Sequence, residues 1–88
     1  MEYVIVFEST SYAIKAEKML LDAGISVRVI PLPSQINAGC GISLLVGKGS
    51  AGRALEFLKN FDGVDFYKKE EINGKAGYLK TDKSEIIE

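Results

Sequence analysis

The chain has 88 residues, with 11 basic and 12 acidic side chains and a net charge of −1. This length fits one domain, and 47% hydrophobic with 26% charged residues is typical of a globular fold. The near-neutral charge argues against a nucleic-acid partner, because such proteins present a clustered basic face. One cysteine and no histidine exclude an internal disulfide, a CxxC pair, a multi-cysteine metal site and histidine-dependent catalysis. We therefore expect no metal and no cofactor.

No segment of the sequence predicts a membrane anchor. The apolar run at residues 3–7 is far shorter than the roughly 20 residues that span a bilayer. The run follows the acidic residue Glu2. It therefore lacks the basic start of a leader peptide, and it also lacks a small-residue cleavage site. We therefore expect no membrane partner and a cytoplasmic, reducing setting in which a lone thiol stays free.

The first half of the chain predicts two strands around one helix. Residues 3–7 are all β-branched or aromatic, which indicates a strand buried on both faces. Small and apolar residues recur with helical spacing over residues 12–23, which predicts an amphipathic helix. Gly24 is expected to end this helix, because glycine commonly follows the last helical residue. Residues 25–29 alternate as in a half-exposed strand, and Pro31 and Pro33 should end it.

The second half predicts two more strands around a second helix. A mostly polar connection at residues 34–39 leads toward a strand at residues 42–46. Residues 47–52 are rich in small side chains and predict a turn. Residues 64–68 predict the fourth strand. Between that turn and that strand, an apolar stripe predicts the second helix: Ala54, Leu55, Leu58 and Phe61.

The element order β-α-β-β-α-β predicts an α+β fold of the ferredoxin-like type. Such a fold is a two-layer sandwich, with an antiparallel sheet in the order 4-1-3-2 and both helices on one face. We assign this fold to residues 1–69. Residues 70–88 are expected to form a C-terminal extension, in which Asn73 and Gly74 predict a hairpin turn and the charged end is frayed.

The predicted topology places Cys40 at the end of the sheet where the first helix begins. The connection before the third strand shares this end, so Cys40 should lie near the hydroxyl residues Ser9, Thr10 and Ser11. A helix start offers unpaired N–H groups and partial positive charge, which favour an anion. Gly39 and Gly41 would let backbone amides approach the sulfur closely.

A thiolate favoured in this way could accept and hand on a sulfur or selenium atom as a persulfide-type species. This chemistry needs a nucleophile and access but no general base, so the lack of histidine does not count against it. The alternative is a small core residue, because free cysteines are often buried and inert. The flanking glycines favour the functional interpretation, since a packing cysteine does not need them.

A second candidate motif is the glycine pattern Gly47, Gly49 and Gly52, which matches G-x-G-x-x-G between a strand and a helix. The context argues against a dinucleotide site, because the flanking strands would not be parallel neighbours and the chain is too short for two mononucleotide-binding halves. A turn with Ser50 as a helix cap explains the pattern. Phosphate binding at this turn stays open as an alternative.

The sheet face away from the helices is a candidate interface. Alternate side chains of the strands should point there, with Leu45 and Tyr67 among them. A partly apolar open face is often covered by a second copy of the chain. A homodimer is therefore among the expected partners.

Several segments in combination resemble one known family: FEST at 7–10, AEK at 16–18 with Leu20, Gly24 with Ile25, IPLP at 30–33 and GCGI at 39–42. Over residues 2 to about 68 the chain resembles the selenium/sulfur (Se/S) carrier protein-like family of small bacterial proteins. The resemblance implies a carrier role with Cys40 as the functional residue and Gly39 and Gly41 as its supporting shell. It further implies a sulfur or selenium donor enzyme, such as a cysteine desulfurase, and an acceptor protein as partners.

Two functions from different classes remain open. In the first, the protein is a carrier rather than a true enzyme, and Cys40 holds sulfur or selenium as a persulfide-type species. In the second, the protein is a small regulatory or protein-interaction module with an inert structural cysteine. The fold cannot decide between them, because folds of this type host many activities. A solvent-reachable sulfur would favour the carrier, and a shielded sulfur would favour the module.

Overall fold

Five strands and three helices make up the fold over residues 1–87, the part of the chain that the structure, a computed structural model, describes. In chain order they are β1 (Glu2–Val6), α1 (Thr10–Asp22), β2 (Val27–Pro31), β3 (Ile42–Gly47), α2 (Lys48–Leu58), β4 (Asp65–Ile72), β5 (Lys75–Thr81) and α3 (Lys83–Ile87). The predicted α+β class is therefore confirmed.

The strands form one antiparallel sheet in the order β2-β3-β1-β4-β5, with β1 at its centre. The ferredoxin-like order 4-1-3-2 predicted for four strands is not the observed order, because a fifth strand extends the sheet beyond β4. β4 runs on to Ile72 and turns back through Asn73 and Gly74. Their φ angles of 53° and 80° suit the two-residue turn that matches the twist of a hairpin. The predicted hairpin is confirmed.

The boundaries of α1 and β2 differ from those predicted. α1 begins at Thr10 because Ser9 caps it, with the Ser9 hydroxyl accepting a hydrogen bond from the Tyr12 N–H. β2 includes Pro31, which was expected to lie beyond the strand's end. A proline is tolerated there because β2 is an edge strand and pairs with a neighbour on one side only. The missing N–H of a proline therefore need not remove a hydrogen bond between strands.

α2 begins directly after β3, so the turn predicted for residues 47–52 is wrong. The helix starts at Lys48, and Gly47 in extended conformation is its N-cap without a side-chain hydrogen bond. Ser50 therefore lies inside the helix and is not its cap. Among the small residues of this segment, Ala51 is buried. It belongs to the inner face of α2, which consists of Ala51, Ala54, Leu55 and Leu58.

The core is divided into two apolar clusters because β1 is buried on both of its faces. The first cluster lies between the sheet and the helices and joins alternate residues of β1, β3 and β4 to the inner faces of α1 and α2. The second cluster lies on the opposite face and contains Val4, Val6, Ile36 and Leu45. Ile36 belongs to the β2–β3 connection, residues 32–41, which therefore covers this face. Leu45 was expected on an open apolar face that a second copy of the chain would cover. In the structure, the connection of the same chain covers Leu45.

The C-terminal end that was expected to be frayed forms α3. Asp82 precedes this helix and accepts hydrogen bonds from the N–H and the hydroxyl of Ser84, each at 2.9 Å. These two bonds hold the pKa of the Asp82 carboxyl below its ordinary value of 3.8. α3 packs on α2 and buries Ile86 in the first cluster. Glu88, the last residue of the end predicted to be frayed, lies outside the described residues.

The hairpin turn gives a first test of the fold. Gly74→Ala should lower the free energy of unfolding by about 1 kcal/mol, because Gly74 has a φ of 80° and an L-residue is strained there. Gly49→Ala is the matched control, since a methyl group meets no atom within 4 Å at either position. Gly49 lies inside α2, so alanine there should leave stability unchanged or raise it by up to about 1 kcal/mol.

Urea denaturation followed by circular dichroism measures both variants. Equal effects of Gly74→Ala and Gly49→Ala on the free energy of unfolding would contradict the assigned turn.

Candidate functional site

Cys40 lies where the β2–β3 connection enters β3, and it is buried. The residue is 1% exposed and belongs to the first cluster. Its sulfur donates a hydrogen bond to the carbonyl oxygen of Ile42, with a separation of 3.2 Å. The hydroxyl oxygen of Thr10 lies 3.6 Å from Sγ. Thr10 itself is exposed, so the thiol is shielded while its neighbour reaches the surface.

Ser9, Thr10 and Ser11 were expected near the Cys40 sulfur. Of these, Thr10 has its hydroxyl in contact with Sγ. It is the first residue of α1, so the unpaired N–H groups of this helix start lie at the same end of the sheet as Cys40. The hydroxyls of Ser9 and Ser11 instead lie 3.2 Å apart and share a hydrogen bond. Ser9 also caps α1, so these two residues support the helix start.

The two glycines beside Cys40 differ in their surroundings. A Cβ atom on Gly39 would lie 2.9 Å from the backbone carbonyl oxygen of Glu8, which is closer than real Cβ contacts allow. Gly39 therefore lets the connection pass tightly against the chain just after β1. Around Gly41 there is no atom within 4 Å of such a Cβ. Its carbonyl accepts a hydrogen bond from the Leu32 N–H at 3.0 Å, which closes the base of the connection.

Cys40 does not line either of two surface depressions formed by the described residues. The larger, of about 390 Å³, lies beside β2 and is lined by Glu2, Ser26, Val27, Arg28, Leu45 and Gly47. The smaller, of about 170 Å³, is lined by Tyr12, Lys15, Asn60, Phe61 and Asp62. In residues 1–87 no group of three or more Cys, Asp or Glu side chains is arranged to hold a metal ion. The same part of the chain has no helix of the length and apolar character needed to cross a bilayer.

The glycine pattern at the start of α2 is far from the thiol. β3 runs from Ile42 to Gly47, so Cys40 precedes one end of this strand and Gly47 lies at the other. Gly49 and Gly52 are inside α2. The two candidate motifs of the sequence therefore cannot form one site within the monomer.

Ile36 is a residue of the site region whose role the sequence pattern did not reveal. The sequence places it in a mostly polar connection, yet it is 5% exposed and belongs to the second cluster. The available signal was one isoleucine among polar neighbours, Ser34, Gln35 and Asn37. Such a lone apolar residue in a loop can mark a point where the loop is anchored.

A family model matches residues 2–72, which include β1 to β4 and the whole connection with Cys40. The family is described as "Putative Se/S carrier protein-like". The chain belongs to this family. The resemblance seen in the sequence is thus confirmed, and the match extends beyond residue 68 to the end of β4. No curated protein and no solved structure matches the chain.

The contrast between the two glycines gives a test of the site's geometry. Gly39→Ala should lower the free energy of unfolding by roughly 1–3 kcal/mol, because the added methyl group would lie 2.9 Å from the Glu8 carbonyl oxygen. Gly41→Ala is the control and should change stability by less than about 0.5 kcal/mol, since space around it is open. Urea denaturation of the two variants decides the point. A larger loss in Gly41→Ala than in Gly39→Ala would contradict this packing.

Proposed function

We propose that this protein is a carrier that holds sulfur or selenium on Cys40 as a persulfide-type species and passes it to an acceptor. The observation that supports the proposal is that the chain belongs to the Se/S carrier protein-like family and contains one cysteine. A persulfide needs a thiol, and Cys40 is the one thiol in the chain. The family match also includes Cys40 and both flanking glycines.

The transfer step is an exchange between sulfur atoms. The Cys40 thiol loses its proton to solvent, and its thiolate attacks the terminal sulfur of a persulfide on the donor. A new S–S bond forms on Cys40, the S–S bond of the donor breaks, and the donor cysteine leaves as a thiolate. Delivery repeats this step, with the acceptor's thiolate attacking the terminal atom and Cys40 leaving. No oxidant or reductant is consumed, and selenium takes the same terminal position.

The residues beside Cys40 suit this exchange. The Thr10 hydroxyl, 3.6 Å from Sγ, can donate a hydrogen bond to the thiolate that forms before loading and again on delivery. The start of α1 adds partial positive charge nearby. Gly39 sets the path of the connection against Glu8 and so the position of the sulfur. The donor would be an enzyme such as a cysteine desulfurase, and the setting would be the reducing cytoplasm of a bacterium.

The burial of Cys40 favours a second function. A residue that is 1% exposed and packed in the first cluster is also what a structural cysteine would be. In that case the protein is a small regulatory or protein-interaction module, and its thiol does not react in the folded state. Reactivity of the folded protein separates the two functions.

Persulfide loading is the direct test of the carrier. The folded protein is incubated with a cysteine desulfurase and cysteine, and its intact mass is then measured. The expected result is a gain of one sulfur atom, which a thiol acceptor then removes. Cys40→Ser should not gain sulfur. Gly49→Ala changes the start of α2, which lies at the opposite end of β3 from Cys40, and this variant should load like the unaltered protein. If the folded protein gains no sulfur and is alkylated only after denaturation, the carrier is wrong and the module is supported.

Thr10 allows a finer test of the same proposal. Thr10→Val keeps the shape of the side chain and removes the hydroxyl, so delivery to a small thiol should slow roughly five- to tenfold. Thr10→Ser keeps the hydroxyl and should restore most of the rate. The rate of sulfur loss from the loaded protein is followed by intact mass. Equal rates for Thr10→Val and Thr10→Ser would show that the hydroxyl plays no part.

A further inference from the structure

The β2–β3 connection is anchored on both faces of the sheet. Ile36 is buried in the second cluster, and Cys40 is buried in the first. Between them the chain passes around the end of β1, where Gly39 packs against Glu8. Movement of this one segment would therefore change both the cover of the second cluster and the burial of the thiol.

Apolar packing holds the connection, through Ile36 with Leu32 and Ala38 on the second cluster, and few hydrogen bonds join it to the rest of the protein. Its residues form no strand or helix, so no ladder of backbone hydrogen bonds has to break when it moves. The Gln35 side chain donates a hydrogen bond to the Ala76 carbonyl of β5 at 3.1 Å, and this bond is exposed. Two backbone hydrogen bonds lie within the connection, from the Ile36 N–H to the Pro33 carbonyl and from the Leu32 N–H to the Gly41 carbonyl. At Cys40 the sulfur has the contacts with Thr10 and Ile42 described above. Such segments open at a lower free energy than the sheet itself.

A buried hydroxyl beneath this region opposes the closed arrangement. Ser43 is 0% exposed, and its Oγ has no hydrogen-bond partner among the described residues. Ser43 pairs in register with Val6 and Ile30, both of which belong to or pack on the second cluster. An unpaired buried hydroxyl costs free energy that hydration would return. Lifting the connection, which covers this cluster, would let water reach this face.

We propose that the connection is a gate over Cys40, which opens by releasing Ile36 and the Gln35–Ala76 hydrogen bond while the sheet and helices stay folded. In the closed state the sulfur is shielded, and in the open state a donor or acceptor reaches it. The purpose of the gate rests on the proposed carrier function, whereas the motion itself does not.

Alkylation of Cys40 by iodoacetamide measures the motion directly. The rate in the folded protein is the rate of the unfolded chain multiplied by the open fraction, so it reports how Cys40 becomes exposed. A gate predicts slow labelling without urea and a weak dependence on urea at low concentration, because local opening exposes little surface. A urea dependence equal to that of global unfolding would overturn the gate. Labelling as fast as in the unfolded chain would overturn it too.

Two isoleucines provide matched variants. Ile36→Ala removes the anchor of the connection and should raise the labelling rate without urea roughly tenfold or more. Ile25→Ala removes the same atoms from a residue that is 1% exposed at the opposite end of the sheet. It should lower global stability but leave labelling without urea nearly unchanged. If both variants speed labelling in proportion to their loss of global stability, the gate is wrong.

Gln35→Ala and Ser43→Ala test the gate even if Ile36→Ala folds poorly. Gln35 is exposed, so Gln35→Ala should preserve the fold and raise the labelling rate roughly three- to tenfold. Ser43→Ala removes the unpaired hydroxyl and should slow labelling. An unchanged rate in both variants would overturn the gate.

Persulfide loading of the same variants separates the gate from the carrier function. Faster labelling and faster loading of Gln35→Ala support both proposals. Faster labelling with no loading of any variant leaves the gate supported and the carrier wrong. Loading of the unaltered protein together with labelling that follows global unfolding leaves the carrier supported and the gate wrong.

Discussion

The alternation of side chains along β1 is the constraint on which the rest of the structure depends. β1 is the central strand and is apolar on both faces, so both faces must be covered. α1 and α2 cover one face, and the β2–β3 connection covers the other through Ile36. To reach both faces the connection passes around the end of β1. This path brings Cys40 to Thr10 at the start of α1.

The same path explains how the thiol can be buried and yet close to the surface. Only the Cys40 residue itself is enclosed, while the neighbouring Thr10, Gly39 and Gly41 are exposed. A shielded sulfur is protected from oxidation, which attacks accessible thiolates. A carrier needs its sulfur exposed only while a partner is present. A sulfur that is buried in the resting protein can still be transferred if the segment that covers it can move, and few hydrogen bonds join the connection to the rest of the protein.

Much of the fold could be predicted because its signals are local. The strand at β1, the inner face of α1 and the hairpin turn at Asn73 and Gly74 each follow from neighbouring residues. The meeting of Cys40 with the start of α1 followed from topology. The start of α2 at Lys48, the addition of the hairpin's second strand to the main sheet and α3 were not predicted, because each depends on packing against distant segments. Ile36 was missed for the same reason, since its cluster is assembled from three separate parts of the chain.

The sequence by itself determined the chemistry that is available: one thiol, no histidine and membership of a Se/S carrier protein-like family. It also determined the α+β class through its periodicity. Only the tertiary structure decided that Cys40 is buried, that Gly39 rather than Gly41 is tightly packed, and that Ile36 covers the second face. Burial depends on which distant segments come together around a residue, and the pattern of its near neighbours does not contain that information.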